Sequence, residues 1–68
     1  MIGPTFNLEG ELCRVHVARS IPGRLRWELW TKLSAWKRYC TVDLPERAGR
    51  RQVAQALGVP VRVLPRYS

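Results

Sequence analysis

Acidic side chains are scarce in this sequence. Five Asp plus Glu stand against twelve Lys plus Arg, which leaves a formal charge of +7 at pH 7. Histidine and phenylalanine occur once each and cysteine twice. With so few candidate bases and nucleophiles there is no Ser/His/Asp grouping, no Gly-rich phosphate loop, and no carboxylate pair beyond Glu9 and Glu11. The sequence therefore reads as a non-enzyme that needs no cofactor. It also lacks a run of about 20 apolar residues, which argues against a membrane span. Met1 to Cys13 contains no Lys or Arg, unlike the positive start of a secretory signal, so the expected compartment is the cytoplasm. Two cysteines, Cys13 and Cys40, are too sparse for a disulfide scaffold and are expected to be free thiols, buried or half-buried. Cys13 and His16 lie three apart, which puts them on opposite faces of a strand, so no metal site is expected.

What remains is 68 residues, 46% hydrophobic and 25% charged. That is one small domain, residues 1–68. A chain of this size buries only about 60% of its unfolded surface, so a homodimer or a partner would help to stabilise it.

Residues 1–10 hold Gly3, Pro4, Asn7 and Gly10 and read as an irregular lead-in with room for a short strand near Thr5 to Leu8. Glu11 to Arg19 alternates, with Cys13, Val15 and Val17 on one side and Leu12, Arg14, His16 and Ala18 on the other, the period of a strand. Ser20-Ile21-Pro22-Gly23 is a turn. Leu25, Trp27, Leu29, Thr31 and Leu33 then alternate with Arg24, Arg26, Glu28, Trp30 and Lys32, and strand is favoured over helix. A three-residue loop, Pro22 to Arg24, would pair Val17 with Leu29 and Val15 with Thr31, matching apolar to apolar. Residues 36–43, rich in aromatic and β-branched types, suit a third strand.

Asp43 followed by Glu46 resembles a capping box, and it predicts a helix from about Leu44 to Leu57 with Gly58 just beyond its end. Val53, Ala56 and Leu57 make the core stripe of that helix. Val59, Val61 and Val63 alternate with Pro60, Arg62 and Leu64 and predict a short edge strand. The fold class is thus α+β: an antiparallel hairpin or sheet packed against one helix, followed by a strand.

Two short segments resemble known motifs. RQVAQALGVPVRVLPRY, Arg51 to Tyr67, resembles a helix-turn-helix in the spacing of Ala54 and Gly58, but Pro65 would interrupt the recognition helix. SIPGRLR, Ser20 to Arg26, is similar to the first-strand region of some heavy-metal-associated domains. The metal-binding CxxC of those domains is absent, and no metal site carries over.

Charge carries the functional reading. Ten of the twelve cations are arginine, whose planar fork matches phosphate oxygens and stacks on bases. On the predicted helix Arg47, Arg50 and Arg51 would form one basic ridge at i, i+3 and i+4. On the hairpin Arg14, Arg24, Arg26 and Lys32 share a face with Trp30, a candidate stacking platform for an unpaired base. These eight residues predict a nucleic-acid footprint on DNA or RNA, in a small regulator such as a phage or mobile element would carry. Four to six neutralised phosphates on duplex DNA would give a slope of log K against log salt of about −4 to −5. The alternative is a protein-binding module or inhibitor that docks on an acidic surface of a larger protein, since Trp and Arg are also hot-spot types.

Overall fold

The structure, a computed structural model, describes residues 1–67. Four strands, β1 (Phe6–Leu8), β2 (Glu11–Arg19), β3 (Arg24–Lys32) and β4 (Trp36–Pro45), form an antiparallel sheet in sequential order. Helix α1 (Arg50–Leu57) and a 3-10 turn at Val61–Val63 follow. The architecture is α+β, with the helix in the C-terminal half of the chain.

Period-2 alternation divides the sheet into two unlike faces. The inner face presents Cys13, Val15, Val17, Leu25, Trp27 and Leu29, all buried against Val53, Ala54 and Leu57 of α1 and against Val59, Val63 and Leu64 after it. Neither α1 nor the C-terminal segment covers the outer face, which carries the polar set of β2, β3 and β4.

The lead-in is more ordered than its Gly and Pro suggest. The Met1 nitrogen donates to the Val17 carbonyl at 2.8 Å, Val17 N donates back to Met1 at 2.9 Å, and Gly3 N donates to Val15 at 2.8 Å. Together with the pairing of Phe6–Leu8 to β2, these bonds run residues 1–8 along β2 from Glu11 to Val17, interrupted near Pro4. Glu9 and Gly10, both at positive φ, make the two-residue turn into β2.

The hairpin register differs from the sequence-based pairing by two residues. Val17 lies opposite Trp27, Val15 opposite Leu29 and Cys13 opposite Thr31, because the three-residue loop is Ile21 to Gly23, one residue earlier than Pro22 to Arg24, with Ser20 N donating to Arg24 O at 3.3 Å at its base. Arg24 N donates to Ile21 O at 3.0 Å, and Gly23 supplies a positive φ of 83°. A two-residue slip preserves both faces, so the hydrophobic pattern is satisfied in either register.

The third strand exists, and it extends two residues beyond 43 to Pro45, so α1 does not start at Leu44. Asp43 is not a helix cap. It accepts from Arg24 Nε at 2.7 Å across the β3–β4 pair, and Glu46 accepts from Arg19 Nη1 at 3.0 Å. Pro45 is tolerated because β4 is an edge strand with one side free of ladder bonds. Gly49 precedes the helix without a side-chain cap, and Gly58 ends it in the left-handed conformation at φ 73°. Ala54, not Ala56, completes the buried stripe with Val53 and Leu57, and Ala56 is exposed.

The segment after the helix is not a strand. Alternation would group Val59, Val61 and Val63, yet Val59, Val63 and Leu64 are the buried set and Val61 is exposed. A 3-10 turn brings 59, 63 and 64 onto the core together, and Pro60 and Pro65 remove two donors that a ladder would need. Arg50 supplies the missing partners. Its Nη1 donates to Pro65 O at 3.2 Å and its Nη2 donates to Leu64 O at 2.9 Å and Val61 O at 3.4 Å. This segment is therefore not an edge strand; the edges of the sheet are β1 and β4.

Candidate nucleic-acid interface

The outer face is built in rows across the strands. Arg14 of β2, Trp30 of β3 and Arg38 of β4 form one row; Leu12, Lys32 and Trp36 form the row on one side of it. His16, Glu28 and Thr41 form the row on the other side, and Ala18, Arg26 and Asp43 the next. Arg24 extends β3 beyond them. Five cations and two carboxylates therefore share the face with two indoles and one imidazole.

A bulge makes this possible. The β3–β4 pairing shifts between Leu29 and Trp30, so that Leu29 opposes Cys40, Trp30 opposes Arg38, and Tyr39 is the extra residue. Simple alternation along 36–44 would put Trp36 and Arg38 on the same side as Cys40, Val42 and Leu44. The inserted residue reverses parity, sending Cys40, Val42 and Leu44 toward the core while Trp36 and Arg38 join the outer face.

The planar groups are interlocked. The Trp30 indole stacks on the His16 ring at a centroid distance of 4.9 Å and an interplanar angle of 18°. Arg14 lays its guanidinium over Trp36, 4.0 Å from the ring centre, and donates from Nε to His16 Nε2 at 3.0 Å. That bond requires Nε2 to be the unprotonated nitrogen, which leaves the ring proton on Nδ1. Burial, then the neighbouring Arg14 and the N-terminal ammonium, push the His16 pKa below its ordinary value, while Glu28 pulls the other way.

Glu28 sits at the centre. One oxygen accepts from Trp30 Nε1 at 3.1 Å and the other from Arg38 Nη1 at 3.2 Å. Burial alone would raise its pKa, but these two donors outweigh it and hold the carboxyl below the usual range. Asp43 is held low by the hydrogen bond from Arg24, whose Nη2 also donates to the Asp43 carbonyl at 3.0 Å. Among the described residues, Arg14, Arg26 and Lys32 form no ion pair, whereas Arg24 and Arg38 do.

Of the eight residues singled out from sequence, five come together on this face: Arg14, Arg24, Arg26, Trp30 and Lys32. The other three do not form a ridge. Arg47 lies in the turn before α1, Arg50 is committed to three backbone carbonyls, and Arg51 alone of them is an exposed helical side chain. The physical reason is the late helix start, which removes the i, i+3, i+4 relation from Arg47. His16, Trp36 and Arg38 belong to the face as well. Alternation already gave His16, but Trp36 and Arg38 required the bulge.

Both thiols are free, Cys13 buried and Cys40 half-buried. Burial, and then Glu11, raise the Cys13 pKa. Cys13 and His16 face opposite sides of β2, and no group of three metal-type ligands occurs among the described residues. No described helix is long and apolar enough to cross a membrane. No family model, curated protein or solved structure matches this chain.

Proposed function

We propose that this protein binds nucleic acid through the outer face of its sheet, with Arg14, Arg26 and Lys32 as phosphate contacts and the Trp30 and Trp36 rings beside them. The observation that carries the reading is the gathering of five cations and two indoles on the one sheet face that the chain leaves uncovered. A cationic surface with half-buried planar groups attracts polyanions at long range and offers guanidinium forks and aromatic faces at contact. Arg24 and Arg38, tied to Asp43 and Glu28, act as oriented members of the frame. Arg51, Arg62 and Arg66 lie outside this face and contribute to the general positive field.

The test is a titration of labelled DNA and RNA at low salt against the wild-type protein and an Arg14→Ala/Arg26→Ala/Lys32→Ala triple variant. Micromolar binding that the triple variant loses supports the reading, and absence of binding to any nucleic acid refutes it. A pull-down repeated with nuclease separates the competing class of partner. Proteins retained after digestion would favour docking on an acidic protein surface instead.

A further inference from the structure

The preferred form of the polymer follows from the width and the furniture of the face. We propose that the outer face takes an unpaired nucleic-acid strand, not a duplex, with bases stacking in the slots now filled by side-chain planes. This rests on the nucleic-acid reading above and sharpens it.

The first argument is size. Four strands spaced about 4.8 Å apart place the outermost axes about 14 Å from one another before side chains are added. A B-form major groove about 12 Å wide admits a two-stranded ribbon or a helix, and the minor groove is narrower still. The molecule itself measures 34 × 20 × 18 Å, so the His16 and Trp30 rings on the two middle strands cannot approach base edges face-on inside a groove. Against a duplex the face would touch phosphates only. A single strand has no such barrier, because its bases turn outward and meet a flat surface.

The second argument is chemical. Trp36 already has a planar cation on its ring, the Arg14 guanidinium at 4.0 Å, and Trp30 already has a planar ring on it, His16 at 4.9 Å. The face is therefore arranged to hold flat groups in parallel layers. Arg14 is long enough to leave Trp36 and follow a phosphate, which opens the Trp36 ring to a base. Lys32, opposite Trp36 in the same row, and Arg38, two residues along β4, flank that ring with positive charge. Stacking of this kind tolerates any base, so the site needs no particular sequence.

The experiment compares three probes of equal length, about twelve nucleotides, a site size within the usual range for such surfaces. The probes are an oligothymidylate, an oligouridylate and a DNA duplex, each titrated against wild type, Trp36→Ala and Trp36→Phe. Single-stranded probes are expected to bind at least tenfold more tightly than the duplex and to quench indole fluorescence. Trp36→Ala should lower single-strand affinity about tenfold and leave duplex affinity unchanged, whereas Trp36→Phe keeps most of it. The two single strands divide DNA from RNA, and preference for either supports the proposal. A duplex that binds as tightly as the single strands, or a Trp36→Ala loss equal on all probes, overturns it while leaving nucleic-acid binding intact. Binding to none of the three overturns both. Trp36 is only half-buried at the sheet edge, and Trp36→Phe provides a variant with the ring retained.

Discussion

The salt dependence of binding reads out how many cations on the outer face are free to meet phosphate. Each phosphate neutralised on a single strand contributes about −0.7 to the slope of log K against log salt, and on a duplex about −0.9. Five cations stand on the face, but Arg24 is held by Asp43 and Arg38 by Glu28, which leaves Arg14, Arg26 and Lys32. Three free contacts give a slope of about −2.1 on a single strand and about −2.7 on a duplex. Raising salt from about 50 to 200 mM should then weaken single-strand binding about 20-fold; if all five engaged, the loss would be about 130-fold. Two substitutions move the slope in opposite directions. Arg26→Ala removes a free cation, and the slope should flatten to about −1.4. Asp43→Asn keeps an oxygen for Arg24 but no longer neutralises it, so the slope should steepen to about −2.8 and affinity at low salt should rise. Fluorescence anisotropy across a salt series measures all three proteins. A wild-type slope of about −3.5, unaltered in Asp43→Asn, would show that the ion pairs do not withhold their arginines and would refute the argument.

Three further predictions test the frame that holds this face. A Cβ at Gly3 would lie 2.8 Å from the Val63 carbonyl oxygen and 3.0 Å from Pro65 Cδ, so Gly3→Ala should cost about 1–3 kcal/mol and lower Tm by several degrees in a circular-dichroism melt; an unchanged Tm would contradict the close approach of lead-in and C-terminal segment. The His16 pKa is lowered in the folded protein, so above pH about 5, where the carboxylates stay ionised, the unfolded chain binds the extra proton. Stability should be full above about pH 6.5 and fall as the solution is acidified below it, and His16→Gln should flatten that part of the Tm–pH curve. Native protein treated with a thiol alkylating reagent should take label at Cys40 well before Cys13, which is buried with a raised pKa, and equal labelling rates would show the inner face to be open.

Much of the sheet was legible in the sequence because its signal is parity. β2 spans Glu11–Arg19 as the alternation predicts, and both faces of β2 and β3 carry the residues assigned to them except Leu33, which lies beyond the end of β3 and is exposed. Register was not legible, since three-residue loops at Ile21–Gly23 and at Pro22–Arg24 satisfy the same pattern. The start of α1 was misread because Asp43-x-x-Glu46 has the form of a capping box, while Cys40, Val42 and Leu44 have the form of a strand. Only the partners decide between these, Arg24 for Asp43 and Arg19 for Glu46, and they lie 19 and 27 residues away in sequence. Trp36 and Arg38 escaped for a different reason. A bulge leaves no residue signature at Tyr39, and without it parity places both side chains on the wrong face. Arg50 escaped because a charged helical residue looks solvated until the segment after the helix needs carbonyl partners.

The same bonds that hide charge also fix geometry. Glu28 orients Trp30 and Arg38, His16 orients Arg14, and Asp43 orients Arg24, so four of the planar groups on the outer face have a named anchor on a neighbouring strand or two residues along their own. Side chains held on strands and pinned by hydrogen bonds sacrifice less entropy on binding than the same groups on a loop. The inner face supplies the rigidity, since Val15 and Val17 are almost wholly enclosed and Arg50 fastens the segment that closes over them. Two carboxylates on a face proposed to meet phosphate would otherwise be an electrostatic defect. Here they stiffen the surface and set aside two of its five cations, leaving Arg14, Arg26 and Lys32 with their charge unneutralised.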